Sequence, residues 1–194
     1  ITGDDGGSSI TTGQGWSQQE NQPTSEIYRV VADNRYPYWV YGAQQDNSSV
    51  GVPSAAPGGG IGETDWYVVG GGESGWIAVD PRNPELLYGG GYGGSITRFD
   101  HRLKEDREIM PWPQLASGRP VTDLRYRFQW TAPIVVSPHD PRVVYHGGNV
   151  LFRTADRGQT WSAISPDLTR DDPAKQTWSG GPITGDNTGV EFYG

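Results

Sequence analysis

Three segments of the chain lie over one another in a single frame: VADNRYPYWVYGA at 31–43, AVDPRNPELLYGG at 78–90 and VVSPHDPRVVYHG at 135–147. In that frame Asp33, Asp80 and Ser137 coincide, as do Pro37, Pro84 and Pro141, and then Tyr41, Tyr88 and Tyr145. The offsets are 47 and 57 residues. Each copy runs through an apolar strand, a polar turn containing Pro, a second strand ending in Tyr, and a Gly. Proline fixes φ and cannot donate to a ladder, so it suits the turn and neither strand. A further short strand follows each Gly cluster, in SSVGV, GSITRF and NVLFRT, and a fourth is clearest at WSAI, 161–164. Four antiparallel strands recurring in register describe the blade of a β-propeller. A β-sandwich also has many short strands, but is not expected to repeat one turn chemistry three times.

Composition agrees with an all-β chain. Its 29 Gly and 15 Pro punctuate the sequence every few residues, with short runs rich in Val, Ile, Tyr and Trp between them. A net charge of -8 disfavours nucleic acid and anionic membrane surfaces as partners. No apolar run approaches the roughly 18 residues of a membrane span. With no Cys, disulfides and thiolate metal sites are excluded.

The stretch FRTADRGQTW, 152–161, belongs between the third and fourth strands of a blade. The Asp156 carboxylate can accept backbone N–H groups across the turn, Gly158 supplies a positive φ, Thr154 and Thr160 add hydroxyls, and Trp161 can bury its ring between sheets. This is the full Asp-box pattern, Ser/Thr-x-Asp-x-Gly-x-Ser/Thr-Trp, and its Asp is a brace, not a catalytic acid. A worn copy, SITTGQGW, aligns Ser9, Thr11, Gly13, Gly15 and Trp16, with the Asp and the second hydroxyl lost.

With these motifs together, the chain resembles the sortilin-like Asp-box (BNR) repeat propeller proteins of the bacterial exported type. In fold it is also similar to xyloglucan-active glycosidases and sialidases. The likeness is carried end to end by YRVVADNRYPYWVYGAQQDNSS, GGGESGWIAVDPRNPELLYGGGYGG, YRFQWTAPIVVSPHDPRVVYHGGNVLFRTADRGQTW and SPDLTRDDPAKQTWSGGPITGDNTGVEFYG. It implies a secreted, periplasmic or cell-surface setting and rings of seven or more blades. The 194 residues divide into the end of one blade (1–25), three blades (26–72, 73–129 and 130–182) and the start of another (183–194), about half a ring. Half a ring leaves two apolar sheet faces uncovered. The expected partners are therefore the remainder of a longer chain or a second chain that completes the propeller.

Ligands of propellers usually meet the rim opposite the Asp-box turns. Seven residues before the aligned Asp33, Asp80 and Ser137 stand Glu26, Glu73 and Trp130, just ahead of each innermost strand. Sheets stack about 10 Å apart, so Glu26 and Glu73 could stand within the roughly 6.5–9.5 Å used by inverting glycosidases. Trp130 could stack on a sugar, with Trp76 and Tyr28 nearby. The bland reading makes the two Glu solvated loop residues and Trp130 packing between blades. Gln45, Asp46 and Asn47, at the end of a second strand, either bond a ligand or shape their turn. The acidic PDLTRDDP stretch reads as a solvated loop. ITGDDGG and ITGDNTG complete no calcium ladder and the three His are scattered, so neither metal nor cofactor is expected. Three readings follow: an exported binding or scaffold module for protein, peptide or glycan, a glycoside hydrolase using Glu26 and Glu73, or a structural half ring whose site lies on other blades.

Overall fold

The computed structural model describes residues 2–4, 7–11, 13, 16–18, 25–73, 75–116 and 119–176. It is all-β: among the described residues fifteen strands form one three-stranded and three four-stranded antiparallel sheets, and there is no α-helix. None of their helical segments is long and apolar enough to cross a membrane. The leading sheet holds β1 (Thr2–Asp4), β2 (Gly7–Thr11) and β3 (Trp16–Gln18). The first blade comprises β4 (Ile27–Ala32), β5 (Trp39–Gln44), β6 (Ser49–Pro53) and β7 (Tyr67–Val68). The second comprises β8 (Ile77–Val79), β9 (Leu86–Gly90), β10 (Ile96–Asp100) and β11 (Glu105–Glu108). The third comprises β12 (Ile134–Val136), β13 (Val144–Gly147), β14 (Leu151–Thr154) and β15 (Ser162–Ala163). In every sheet the strands pair in chain order, the up-and-down meander of a propeller blade.

The repeated turn closes in the same way in each blade. Asp33 N–H donates to Trp39 O at 3.0 Å, Asp80 N–H to Leu86 O at 3.0 Å, and Ser137 N–H to Val143 O at 2.9 Å. The side chain at the same frame position accepts the backbone N–H two residues on: Arg35 to Asp33 at 3.2 Å, Arg82 to Asp80 at 2.9 Å, and His139 to Ser137 at 3.3 Å. A short polar acceptor is the common requirement, which is why Ser can stand where the other copies have Asp.

The innermost strand β8 packs beside both β4 and β12, so the blades succeed one another side by side. Leu87 joins Tyr41, Val69, Ile77 and Phe99 in a core toward the first blade. Leu86 and Tyr88, on the opposite face of β9, join Ile96, Ile134 and Val144 toward the third. β9 is therefore buried along its whole length, and its sequence LLYGG shows no polar alternation. The blades approach closely where Gly70 crosses β9: a Cβ on Gly89 would lie 2.0 Å from the Gly70 carbonyl oxygen. The sheets do not close into a ring. Val30 and Val68 of the first blade and Val135 of the third, on faces turned away from the second blade, are 60%, 52% and 49% exposed.

The turn at 154–161 is tied by side chains. Thr154 Oγ1 donates to Asp156 Oδ1 at 2.7 Å and accepts from Gly158 N–H at 3.0 Å. The other Asp156 oxygen accepts the Thr160 hydroxyl at 2.6 Å, and Oδ1 also takes the Thr160 N–H at 2.9 Å. Trp161 packs between the second and third blades and donates its indole N–H to the Ile109 carbonyl of the second at 2.7 Å. The turn between β2 and β3 shares one feature with it: Gly13 has φ +90° where Gly158 has +89°. The side chains of Ser9, Thr11 and Trp16, and the ITGDNTG stretch, lie outside the described residues.

Candidate functional site

Tyr28, near the start of β4, meets the turn that follows β5. Its hydroxyl donates to Gln45 Oε1. The amide of Gln45 donates to Asp46 Oδ1 at 3.1 Å, and Asp46, at φ +54°, offers its backbone N–H to Glu73 Oε2 at 2.5 Å. Glu73 also accepts the Tyr92 hydroxyl. The Tyr92 ring stands edge-on to Trp130, with centroids 4.8 Å apart, and Trp130 faces Tyr28 at 6.2 Å. Six residues from three blades thus form a closed circuit of contacts. Residues of the first and third blades thus meet across the second, beside the ends at which β4, β8 and β12 begin.

The carboxylates set its electrostatics. Hydrogen bonds from Tyr92 and from the Asp46 N–H hold Glu73 below the ordinary carboxylate range, outweighing partial burial. Partial burial and the charges of Glu26, Glu73 and Asp46 push the Tyr28 hydroxyl up. Glu26 is exposed, and its carbonyl accepts the Gln45 N–H at 2.9 Å. The rim therefore offers half-buried aromatic faces at Tyr28 and Trp130 beside carboxylate acceptors, at a site open to solvent.

Not every residue singled out from the sequence joins this circuit. Trp76 is half-buried against the core between the second and third blades, and the Arg29 guanidinium covers its ring at 3.5 Å. Asn47 donates to the Gln45 carbonyl at 3.1 Å and shapes the turn. Tyr92 completes the circuit and was not foreseen. It sits in a 3-10 turn, Tyr92–Gly94, between β9 and β10. A single aromatic inside GGGYGGS was the available signal, since nothing in a Gly-rich connection needs a Tyr for its own folding.

The PDLTRDDP stretch is the exposed acidic loop expected of it, and it does more. Arg127, buried, donates to Asp167 Oδ2 at 2.7 Å, to Thr169 Oγ1 at 2.6 Å and to Asp171. Asn149 adds a bond to Asp167 Oδ2 at 2.7 Å. The acidic residues of this exposed loop also clamp a buried guanidinium.

No protein-family model matches the chain, and no curated protein is similar enough to stand as a relative.

Proposed function

We propose that the chain is part of an exported Asp-box propeller of the sortilin-like type whose rim is a binding site, with a glycan as the ligand class that best suits it. The C–H face of a sugar stacks on an aromatic ring, and its hydroxyls donate to carboxylates. Trp130, Tyr92 and Tyr28 supply the first chemistry, and Glu26, Asp46 and Glu73 the second. The observation that carries this reading is the closed circuit, because it fixes the aromatic faces before any ligand arrives and so reduces the ordering that binding must impose.

The same carboxylates raise the question of hydrolysis. A glycosidase acid must hold its proton near neutrality, which requires a raised pKa. Glu73 is shifted the other way, which unfits it as the acid of such a pair. The test is retention of the protein on a panel of immobilised polysaccharides, run beside an assay for released reducing ends. Retention lost in Trp130→Ala, with no sugar released by the unaltered protein, is the expected result. Sugar release that Glu73→Gln abolishes would replace this reading with the hydrolase. Absence of both retention and release would remove the rim from consideration.

A further inference from the structure

A cavity of about 230 Å³ opens on the face of the second blade that meets the third, away from the rim circuit. Its charged lining is segregated by sign. The register of β10 with β11 sets Arg98 directly opposite Arg107, and Asp100 directly opposite Glu105. Residues two apart share a face of a strand, so a row of two guanidinium groups lies beside a row of two carboxylates, all four in the cavity wall. Arg157, from the tied turn of the third blade, lines the same cavity and adds a third cation.

This arrangement does not serve the sheet. Like charges directly opposite one another across an antiparallel pair are destabilising, and exchanging Glu105 with Arg107 would relieve both rows. Nor do the rows neutralise each other along the diagonal. Among the described residues, neither Arg98 nor Arg107 has a carboxylate within 4.0 Å; the ion pair in this region joins Arg157 to the buried Asp80, at 3.9 Å. Arg98 donates to the Arg157 carbonyl at 3.4 Å, and among the described residues the Arg107 side chain makes no hydrogen bond. In the wall, Arg157 Nε is buried without a hydrogen-bond partner among the described residues, which is costly unless something else supplies one.

We infer that this cavity binds a small zwitterion, its carboxylate held by Arg98, Arg107 and Arg157 and its ammonium by Asp100 and Glu105. Guanidinium groups in pairs match a carboxylate fork. The acidic row beside them disfavours a bare anion and attracts an ammonium. Two residues along a strand span about 6.8 Å, so the two charges of the ligand sit several bonds apart, as in a dipeptide or an ω-amino carboxylate. Glu105 and Arg107 are exposed on the outermost strand, which gives such a ligand a route in from solvent.

The test titrates the protein with glycylglycine and with its two capped forms, N-acetylglycylglycine and glycylglycinamide. The readout is the arginine side-chain N–H signals in NMR spectra. Glycylglycine is expected to shift the signals of Arg98, Arg107 and Arg157 saturably, and each cap to weaken binding about tenfold or more, the loss of one charge-assisted contact set. Arg107→Gln, which also relieves the repulsion with Arg98, should weaken glycylglycine to the same extent and leave the melting temperature the same or slightly higher. Equal binding of the N-acetylated form would make this a plain anion site and overturn the inference. Equal binding of the amide, or no saturable shift with any of the three, would overturn it as well.

Discussion

Trp130 and Tyr28 belong to blades that do not adjoin, yet their rings lie 6.2 Å apart. The contact bridges the second blade, and Tyr92 adds to it with its edge against Trp130. Trp130→Ala removes both ring pairs. Aromatic pairs contribute about 0.5–1.5 kcal/mol each beyond their buried area, so a loss of about 2 kcal/mol in a urea titration is expected. Trp130→Phe should keep much of the stability and of the retention on polysaccharide. If Trp130→Ala leaves stability unchanged, the circuit does not pre-form the site.

Gly158 and Gly13 share a left-handed backbone but differ in surroundings. A Cβ on Gly158 would fall 2.4 Å from Ile109 Cδ1 and 2.8 Å from Ile109 Cβ, whereas nothing lies within 4 Å of one on Gly13. Gly13→Ala therefore meets the left-handed penalty alone, about 1 kcal/mol. Gly158→Ala adds overpacking against the second blade, for a total of about 3 kcal/mol. Denaturant titrations of the two variants measure the difference, and equal losses would deny the third blade's turn its packing against the second.

Acid should loosen the third blade first. The Thr160 and Thr154 hydroxyls, with the Thr160 N–H, lower Asp156 to about 2. Burial raises Asp167, but bonds from Thr169 and Asn149 and the charge of Arg127 outweigh it and bring that group also to about 2. An unfolded Asp titrates near 3.9. Both groups are depressed on folding, so the stability they contribute is complete above about pH 4 and is lost as pH falls toward about 2. Melting temperature followed over that window should fall, and Asp156→Asn should flatten the fall while lowering the plateau above it. A profile unaffected by Asp156→Asn would mean that the carboxylate does not hold the turn.

The turns were legible because their chemistry is local. The backbone partners of Asp33, Asp80 and Ser137 in the turn lie two to six residues away, so one spacing repeated three times carries the instruction for the turn. The glycines around Gly89 were legible as punctuation only. Their close approach to Gly70 depends on how neighbouring blades meet, which no short window encodes. Glu73 and Trp130 could be placed on the rim by counting back from the frame, but Tyr92 could not, since it lies outside the repeated segments. Arg98 and Arg107 are nine residues apart on two strands. Only the register of β10 with β11 turns that separation into direct opposition.

Arg127 reaches 40 and 44 residues along the chain to Asp167 and Asp171, and that span hid it from a reading of PDLTRDDP by composition. Its backbone N–H donates to Asn149 Oδ1 at 3.0 Å, and Asn149 in turn binds Asp167, so the segment after β15 is moored to the connection between β13 and β14. The guanidinium is buried while both carboxylates keep contact with water, so removing it strands no fully buried charge. Arg127→Ala should then cost on the order of 2 kcal/mol, the range of hydrogen bonds to charged groups, and not the larger penalty of an orphaned buried ion. Arg127→Lys keeps the charge but not the planar fork that serves Asp167, Thr169 and Asp171 together, and should recover less than half of the loss. Hydrogen exchange separates the clamp from general destabilisation. In Arg127→Ala the Leu168 amide, which donates to the Asn149 carbonyl at 2.7 Å, should exchange faster while the amides of β9 keep their protection. Equal acceleration in both places would show that Arg127 supports the whole stack of blades and not the mooring of one segment.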